Sequence, residues 1–181
     1  MAKSPVKLAQ TRAAENAPAL LSDTARLPSS IVDERGRTVA WITRTIHRLY
    51  DAEAQKILDR RKIPIAHWYY LRVLAERGEL NQLELSRRVG IASTTAVPAL
   101  DAMEKRGLLK RVRDPNDRRK YFVRLTEKGR GVVDELFPEL LAMIEKSISR
   151  LSAGEMRTFW KVMHEMERAL TSLSGPNKTP D

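Results

Sequence analysis

Residues 80–126 read LNQLELSRRVGIASTTAVPALDAMEKRGLLKRVRDPNDRRKYFVRLT, and this stretch decides the fold. Asn81 with Glu84 three residues later is a capping-box pair, which predicts a helix beginning at Gln82. Leu83, Leu85 and Val89 read as its inward positions and Gly90 as its stop. A second helix is expected from about Ser93 to Arg106, with Ala96, Ala99, Leu100 and Met103 on its buried face and Gly107 after it. Two short helices joined by a Gly-containing turn form the helix-turn-helix pattern. Leu108 to Val112 then reads as a strand, Asp114-Pro115-Asn116-Asp117 as a turn, and Tyr121 to Leu125 as the returning strand. Lys110, Arg111, Arg113, Arg118, Arg119 and Lys120 crowd this hairpin against only Asp114 and Asp117. A hairpin so charged, next to a helix-turn-helix, is a wing able to reach a phosphate backbone or a minor groove.

This segment resembles the winged helix-turn-helix of the MarR family of transcriptional regulators. The resemblance is carried by Gln82-Leu83-Glu84-Leu85 entering the first helix and Met103-Glu104-Lys105-Arg106-Gly107-Leu108 leaving the second. Asp117-Arg118-Arg119 on the wing and Val123-Arg124-Leu125-Thr126-Glu127-Lys128-Gly129 on its return complete it. It implies a mainly α fold: a winged helix-turn-helix with a two- or three-stranded wing sheet and a helical dimerisation domain. It also implies a ligand-responsive repressor, binding a palindromic operator in double-stranded DNA as a homodimer. Asp117-x-Arg119 matches the family's Asp-x-Arg pattern, in which the carboxylate holds an arginine in place. Many members carry Arg where this chain has Pro98, so direct guanine readout is weakened and shape readout gains weight.

The outward edge of the second helix presents Ser93, Thr94, Thr95, Val97 and Pro98, with Asp101 beyond them. Short hydroxyls and apolar caps enter a major groove, donate to base edges or phosphates, and pack on thymine methyls. Arg118 or Arg119 is the candidate for minor-groove insertion; Lys110, Arg111, Arg113 and Lys120 are phosphate candidates. The competing reading is a helical hairpin used for protein contacts, which the basic wing disfavours.

Composition agrees. The chain has 181 residues and a formal net charge of +10, which favours an anionic partner, nucleic acid before membrane surface. It contains no cysteine, which removes disulfides, thiolate nucleophiles, Cys-based zinc sites and the thiol sensing of the family's organic-peroxide branch. No apolar run reaches the roughly 18 residues of a membrane span, and no signal-peptide core stands at the N-terminus; a cytoplasmic protein is expected.

Residues 1–30 read as a flexible basic arm and 175–181 as a loose tail. Helical dimerisation segments are expected over 31–62 and 126–174, with the DNA-binding lobe at 63–125. Within the first segment, a helix from about Glu34 to Arg61 carries Val39, Ile42, Ile46 and Leu49 at helical spacing. Pro64 is expected in the first turn of the next helix, which runs to about Arg77. Thr126 and the Ser152/Glu155 pair should cap two further helices, the first containing Pro138.

Five of the chain's ten Trp, Tyr and Phe residues sit on the first two helices. The resemblance implies a small aromatic or otherwise anionic effector bound between the dimer helices and the DNA-binding lobe, for which Trp41, Arg44, His47, Tyr50, His67, Trp68 and Tyr70 are the candidates and a carboxylate or its coenzyme A thioester the expected ligand. Helical spacing predicts ordinary packing for them as readily. Enzyme readings find no support: His47, His67 and His164 lie on separate predicted helices without metal spacing, and no phosphate loop or nucleophile elbow is present. No catalytic residue, metal or cofactor is expected. The alternatives are an architectural protein binding DNA without sequence preference and a metal-responsive regulator, which the sparse His disfavours.

Overall fold

Residues 31–113 and 121–173 are described by a computed structural model, apart from the side chains of Ser93 and Thr95. The expected N-terminal arm, the wing turn with Arg118, Arg119 and Lys120, and the C-terminal tail lie outside the described residues. The elements are α1 (Val39–Leu58), a 3-10 turn (Asp59–Arg61), α2 (Ile65–Arg77), β1 (Leu80–Asn81), α3 (Gln82–Val89), α4 (Ser93–Lys105), β2 (Leu109–Arg113), β3 (Tyr121–Leu125), α5 (Glu127–Ile148) and α6 (Ala153–Leu173). The fold is mainly α, with one three-stranded antiparallel sheet in the order β1-β3-β2. By contacts the chain divides into two units, residues 1–52 and 53–181.

In the first unit the helix begins at Val39, five residues later than the expected Glu34. A tight turn delays it: Val32 bridges Thr38, Gly36 is left-handed at φ 70°, and the turn is tied together by Asp33. Its Oδ1 accepts the backbone N–H groups of Arg35 at 3.0 Å and Arg37 at 2.8 Å, and its Oδ2 accepts Arg37 Nε at 2.8 Å. A short polar side chain so placed takes the donors that a helix would use. The Arg37 hydrogen bond holds the Asp33 carboxyl below the usual carboxylate range. Thr38 then caps α1, its hydroxyl accepting Trp41 N–H at 3.2 Å. Val39, Trp41, Ile46 and Leu49 are all exposed.

The second unit is built around one core. Ala54 and Leu58, at the end of α1, join Trp68, Tyr70, Leu71 and Leu74 of α2. Leu85, Ala96, Leu100 and Met103 enter from the helix-turn-helix, Leu109 and Val123 from the sheet. Val133, Leu136 and Leu140 close it from α5. Burying each leucine contributes about 2 kcal/mol. α5 thus gives one face to this core and leaves Phe137, Leu141 and Ile144 outside. No residue of α6 is buried, and Met156, Met163 and Met166 are half-covered.

Several local expectations need correction. Leu83 was expected inward with Leu85, but it is 51% exposed. Two residues of α-helix turn through about 200°, so both cannot face one core. Ser86 takes the buried place instead and satisfies its hydroxyl by donating to Gln82 O at 2.8 Å. The capping box at Asn81 is half made: Asn81 Oδ1 accepts Glu84 N–H at 2.8 Å, while the Glu84 carboxylate takes Arg88 Nε. The box at Ser152 is complete, with Ser152 N–H donating to Glu155 Oε2 and Glu155 N–H to Ser152 Oγ. Pro64 precedes α2 as its cap residue, and Leu58 ends α1, with Lys62 left-handed after the 3-10 turn.

Candidate nucleic-acid interface

The helix-turn-helix geometry follows from its glycines and caps. Gly90 ends α3 at φ 75°, a left-handed conformation that a Cβ disfavours, and Ile91 N–H closes the turn on Ser86 O at 3.0 Å. α4 starts two residues on. Its cap, Ala92, has no side-chain acceptor, which leaves first-turn N–H groups for an outside anion. Ala96, Leu100 and Met103 are fully buried, while Thr94, Val97 and Pro98 are exposed. Ser93 and Thr95 share that first turn. Pro98 costs one bond near the helix start and does not break α4.

The wing is held from below. Leu109↔Leu125, Arg111↔Val123 and Arg113↔Tyr121 are paired positions of β2 and β3, and β1 extends the sheet through Leu80↔Val123. Leu108 spends its backbone at the junction instead of in β2, donating N–H to Met103 O and accepting Thr126 N–H. Thr126 Oγ1 donates to Gly107 O at 2.6 Å and accepts Gly129 N–H at 3.0 Å, so one side chain ties the end of the helix-turn-helix to the start of α5.

The wing cations differ in their engagements. Lys110 is exposed. Arg113 donates through Nε to Tyr121 Oη at 3.0 Å and stands 5.7 Å from that ring's centre. Tyr121 was not singled out from sequence as the partner of this cation. Arg111 turns back to α4, where it meets Asp101 Oδ1 and Glu104 Oε2, each at 2.6 Å. Burial opposes its charge, but the hydrogen bonds to Asp101 and Glu104 outweigh that and raise its pKa. Arg118, Arg119 and Lys120 lie outside the described residues.

The effector candidates fall into both units. In the first, Trp41, Arg44 and His47 are exposed, Tyr50 is half-buried, and His47 Nε2 lies 3.5 Å from Asp51. In the second, Trp68 and Tyr70 belong to the core and His67 is half-buried. Burial raises the Tyr70 hydroxyl pKa; burial, then the nearby Arg106 charge, lowers that of His67. A groove of about 610 Å³ runs between α2 and α5 in this unit. Trp68, Arg72, Phe137, Pro138, Leu141 and Ile144 are among its lining residues. Arg72 was missed, although its place four residues after Trp68 puts both on one stripe of α2.

A model of the MarR family matches residues 63–121. The HTH-type transcriptional regulator MhqR of Bacillus subtilis (strain 168) is 34% identical over 110 residues, covering 61% of this chain and 76% of MhqR. The chain belongs to the MarR family. A MarR family protein from Bacillus stearothermophilus has the same fold, with TM-score 0.61 and 26% identity, over 72% of this chain and 91% of that one. So does BpsR of Bordetella bronchiseptica, in a structure concerned with regulation of its DNA binding by 6-hydroxynicotinic acid. Its TM-score is 0.64 and its identity 24%, over 71% of this chain and 98% of BpsR. As a MarR-family protein the chain is a DNA-binding transcription regulator with a winged helix-turn-helix, α3 and α4 forming the helix pair and β2–β3 the wing. Among the described residues no helix is long and apolar enough to cross a membrane, and no cluster of potential metal ligands occurs.

Proposed function

We propose that the protein is a homodimeric repressor that reads a palindromic operator, one α4 per half-site, and is released by a small aromatic carboxylate or its coenzyme A thioester. The observation that carries the DNA part is the exposed start of α4, uncapped and lined by Thr94, Val97 and Pro98, on a lobe whose wing presents Arg113 beside Tyr121. From the sequence alone, Ser93, Thr95, Arg118, Arg119 and Lys120 are proposed as further DNA contacts. Dimerisation is supported by α6, on which Phe159, Trp160, Leu170 and Leu173 are all exposed. A 21-residue helix with none of its residues buried requires a partner, and a second copy supplies the matching face.

The groove between α2 and α5 is the best-supported effector site. Its volume suits a ligand of one or two rings. Trp68 and Phe137 offer apolar walls, and Arg72 a guanidinium for a carboxylate. Glu76 on the rim has Arg77 at 3.3 Å, which offsets part of its repulsion. Such a ligand displaces DNA only by its preference for the unbound conformation, so modest selectivity gives modest release.

The test uses a fluorescent duplex that the protein selects from a random pool, with the preformed complex titrated by benzoate, 4-hydroxyphenylacetate and 6-hydroxynicotinate. Anisotropy should fall with at least one of them. Arg72→Ala should leave DNA affinity nearly unchanged and raise the half-release concentration about tenfold, the loss of one charge-assisted hydrogen bond. An Arg72→Ala protein that responds like the parent places the effector elsewhere.

A further inference from the structure

Asp101 sits four residues after Val97 and three after Pro98, on the exposed stripe of α4 assigned to the major groove. If that stripe enters a major groove, a carboxylate on it adds repulsion toward the duplex and weakens binding unless something offsets it. Glu104, one turn on, adds a second negative charge on the same side, an i,i+3 like-charge pair that destabilises a helix. Both are explained by Arg111. Its guanidinium bridges Asp101 Oδ1 and Glu104 Oε2, each at 2.6 Å, and its own backbone N–H donates to Glu104 Oε1 at 2.9 Å. The arginine side chain is 21% exposed and those of Asp101 and Glu104 are 47% and 37% exposed, so the guanidinium is the covered end of the network. Its attachment is double, through side chain and main chain, and it joins the middle of β2 to the last two turns of α4. Two residues further along β2, on the same face, is Arg113 with its Tyr121 contact.

We infer that Asp101, Glu104 and Arg111 form a brace that sets the distance between recognition helix and wing, so that the two carboxylates are positioning residues for DNA binding and Arg111 acts through them rather than on a phosphate. The inference rests on the DNA-binding reading above. It has a consequence of unusual sign. Removing two negative charges beside a polyanion should tighten binding if charge alone decides. If the brace decides, it should loosen binding to the correct site only.

The experiment compares the parent, Asp101→Asn/Glu104→Gln, Arg111→Met and the triple variant. Each is measured on the duplex that the parent selects from a random pool and on an unrelated duplex of equal length, with thermal unfolding of each protein alongside. The expected result for the isosteric double variant is an affinity about tenfold weaker on the selected duplex, the scale of one coupled contact network. On the unrelated duplex its affinity should be unchanged or higher. Arg111→Met should show a similar loss on the selected duplex, and the triple variant no further loss. Equal or tighter binding of the selected duplex by the double variant overturns the brace, and so do additive losses in the triple variant. Equal loss on both duplexes, with a lower unfolding temperature, also overturns it and assigns the network to stability. A parent that selects no duplex fails at the earlier step, the reading of DNA sequence itself.

Discussion

Gly129→Ala should destabilise the protein by about 3 kcal/mol (an order-of-magnitude figure for forced overpacking against backbone), a large fraction of the roughly 5–15 kcal/mol that holds a domain folded and enough to lower its unfolding midpoint clearly. Gly129 lies in the first turn of α5, fully covered, and a Cβ built on it meets Leu108 O at 1.9 Å and Leu108 C at 2.9 Å. The obstacle is main chain, already committed as acceptor to Thr126 N–H, so it cannot swing aside as a side-chain tip would. Gly131, two residues on in the same helix, is the control. A Cβ there meets nothing within 4 Å, and Gly131→Ala should stabilise α5 by roughly 0.5–1 kcal/mol through lower chain entropy in the unfolded state. Urea denaturation of the two variants should therefore move the midpoint in opposite directions. Similar small shifts for both would mean that α5 and the wing base do not approach as closely as described.

Trp160→Glu combined with Leu170→Glu should convert a dimer into a monomer and weaken binding to the selected duplex by about 100-fold or more, the advantage of two linked half-site contacts. Both side chains are more than half exposed on the protomer, so the lobe core should survive, with helical circular dichroism largely retained. This separates them from Leu136 and Leu140 of α5, whose burial in the second unit makes their replacement by Asp a folding lesion rather than an interface test. Sedimentation velocity gives the result directly. A double variant that still sediments as the parent dimer puts the interface on other faces, such as that of Val39, Ile46 and Leu49.

The parts legible in the sequence are those governed by local chemistry. Asn81, Gly90, Gly107, Thr126 and Ser152 announce helix ends because their side chains, or lack of one, act on backbone groups within a few residues. The strands of the wing follow equally from alternation around a turn. Contacts set by distant packing were not legible. Nothing local marks Gly129 as the glycine that must stay bare and Gly131 as the one that need not. Arg111 looks like any wing cation until the fold brings α4 beside β2 and supplies two carboxylates seven and ten residues back. Leu83 and Ser86 exchange places against hydropathy, because helical phase outranks side-chain type when the face is narrow. Aromatic clustering drew attention to α1 and α2 together, whereas the groove described within the second unit pairs α2 with α5 and takes Trp68 alone from that set.

The central claim is that a dimer of this chain reads two half-sites with two copies of α4. Hydroxyl-radical footprinting on the duplex selected by the parent tests it most directly. The expected pattern is two protected patches related by two-fold symmetry, with centres about 34–36 Å apart, one helical turn on the same face of the DNA. Uniform weak protection along the duplex, without boundaries or symmetry, would contradict the claim and leave a protein that holds DNA by charge alone.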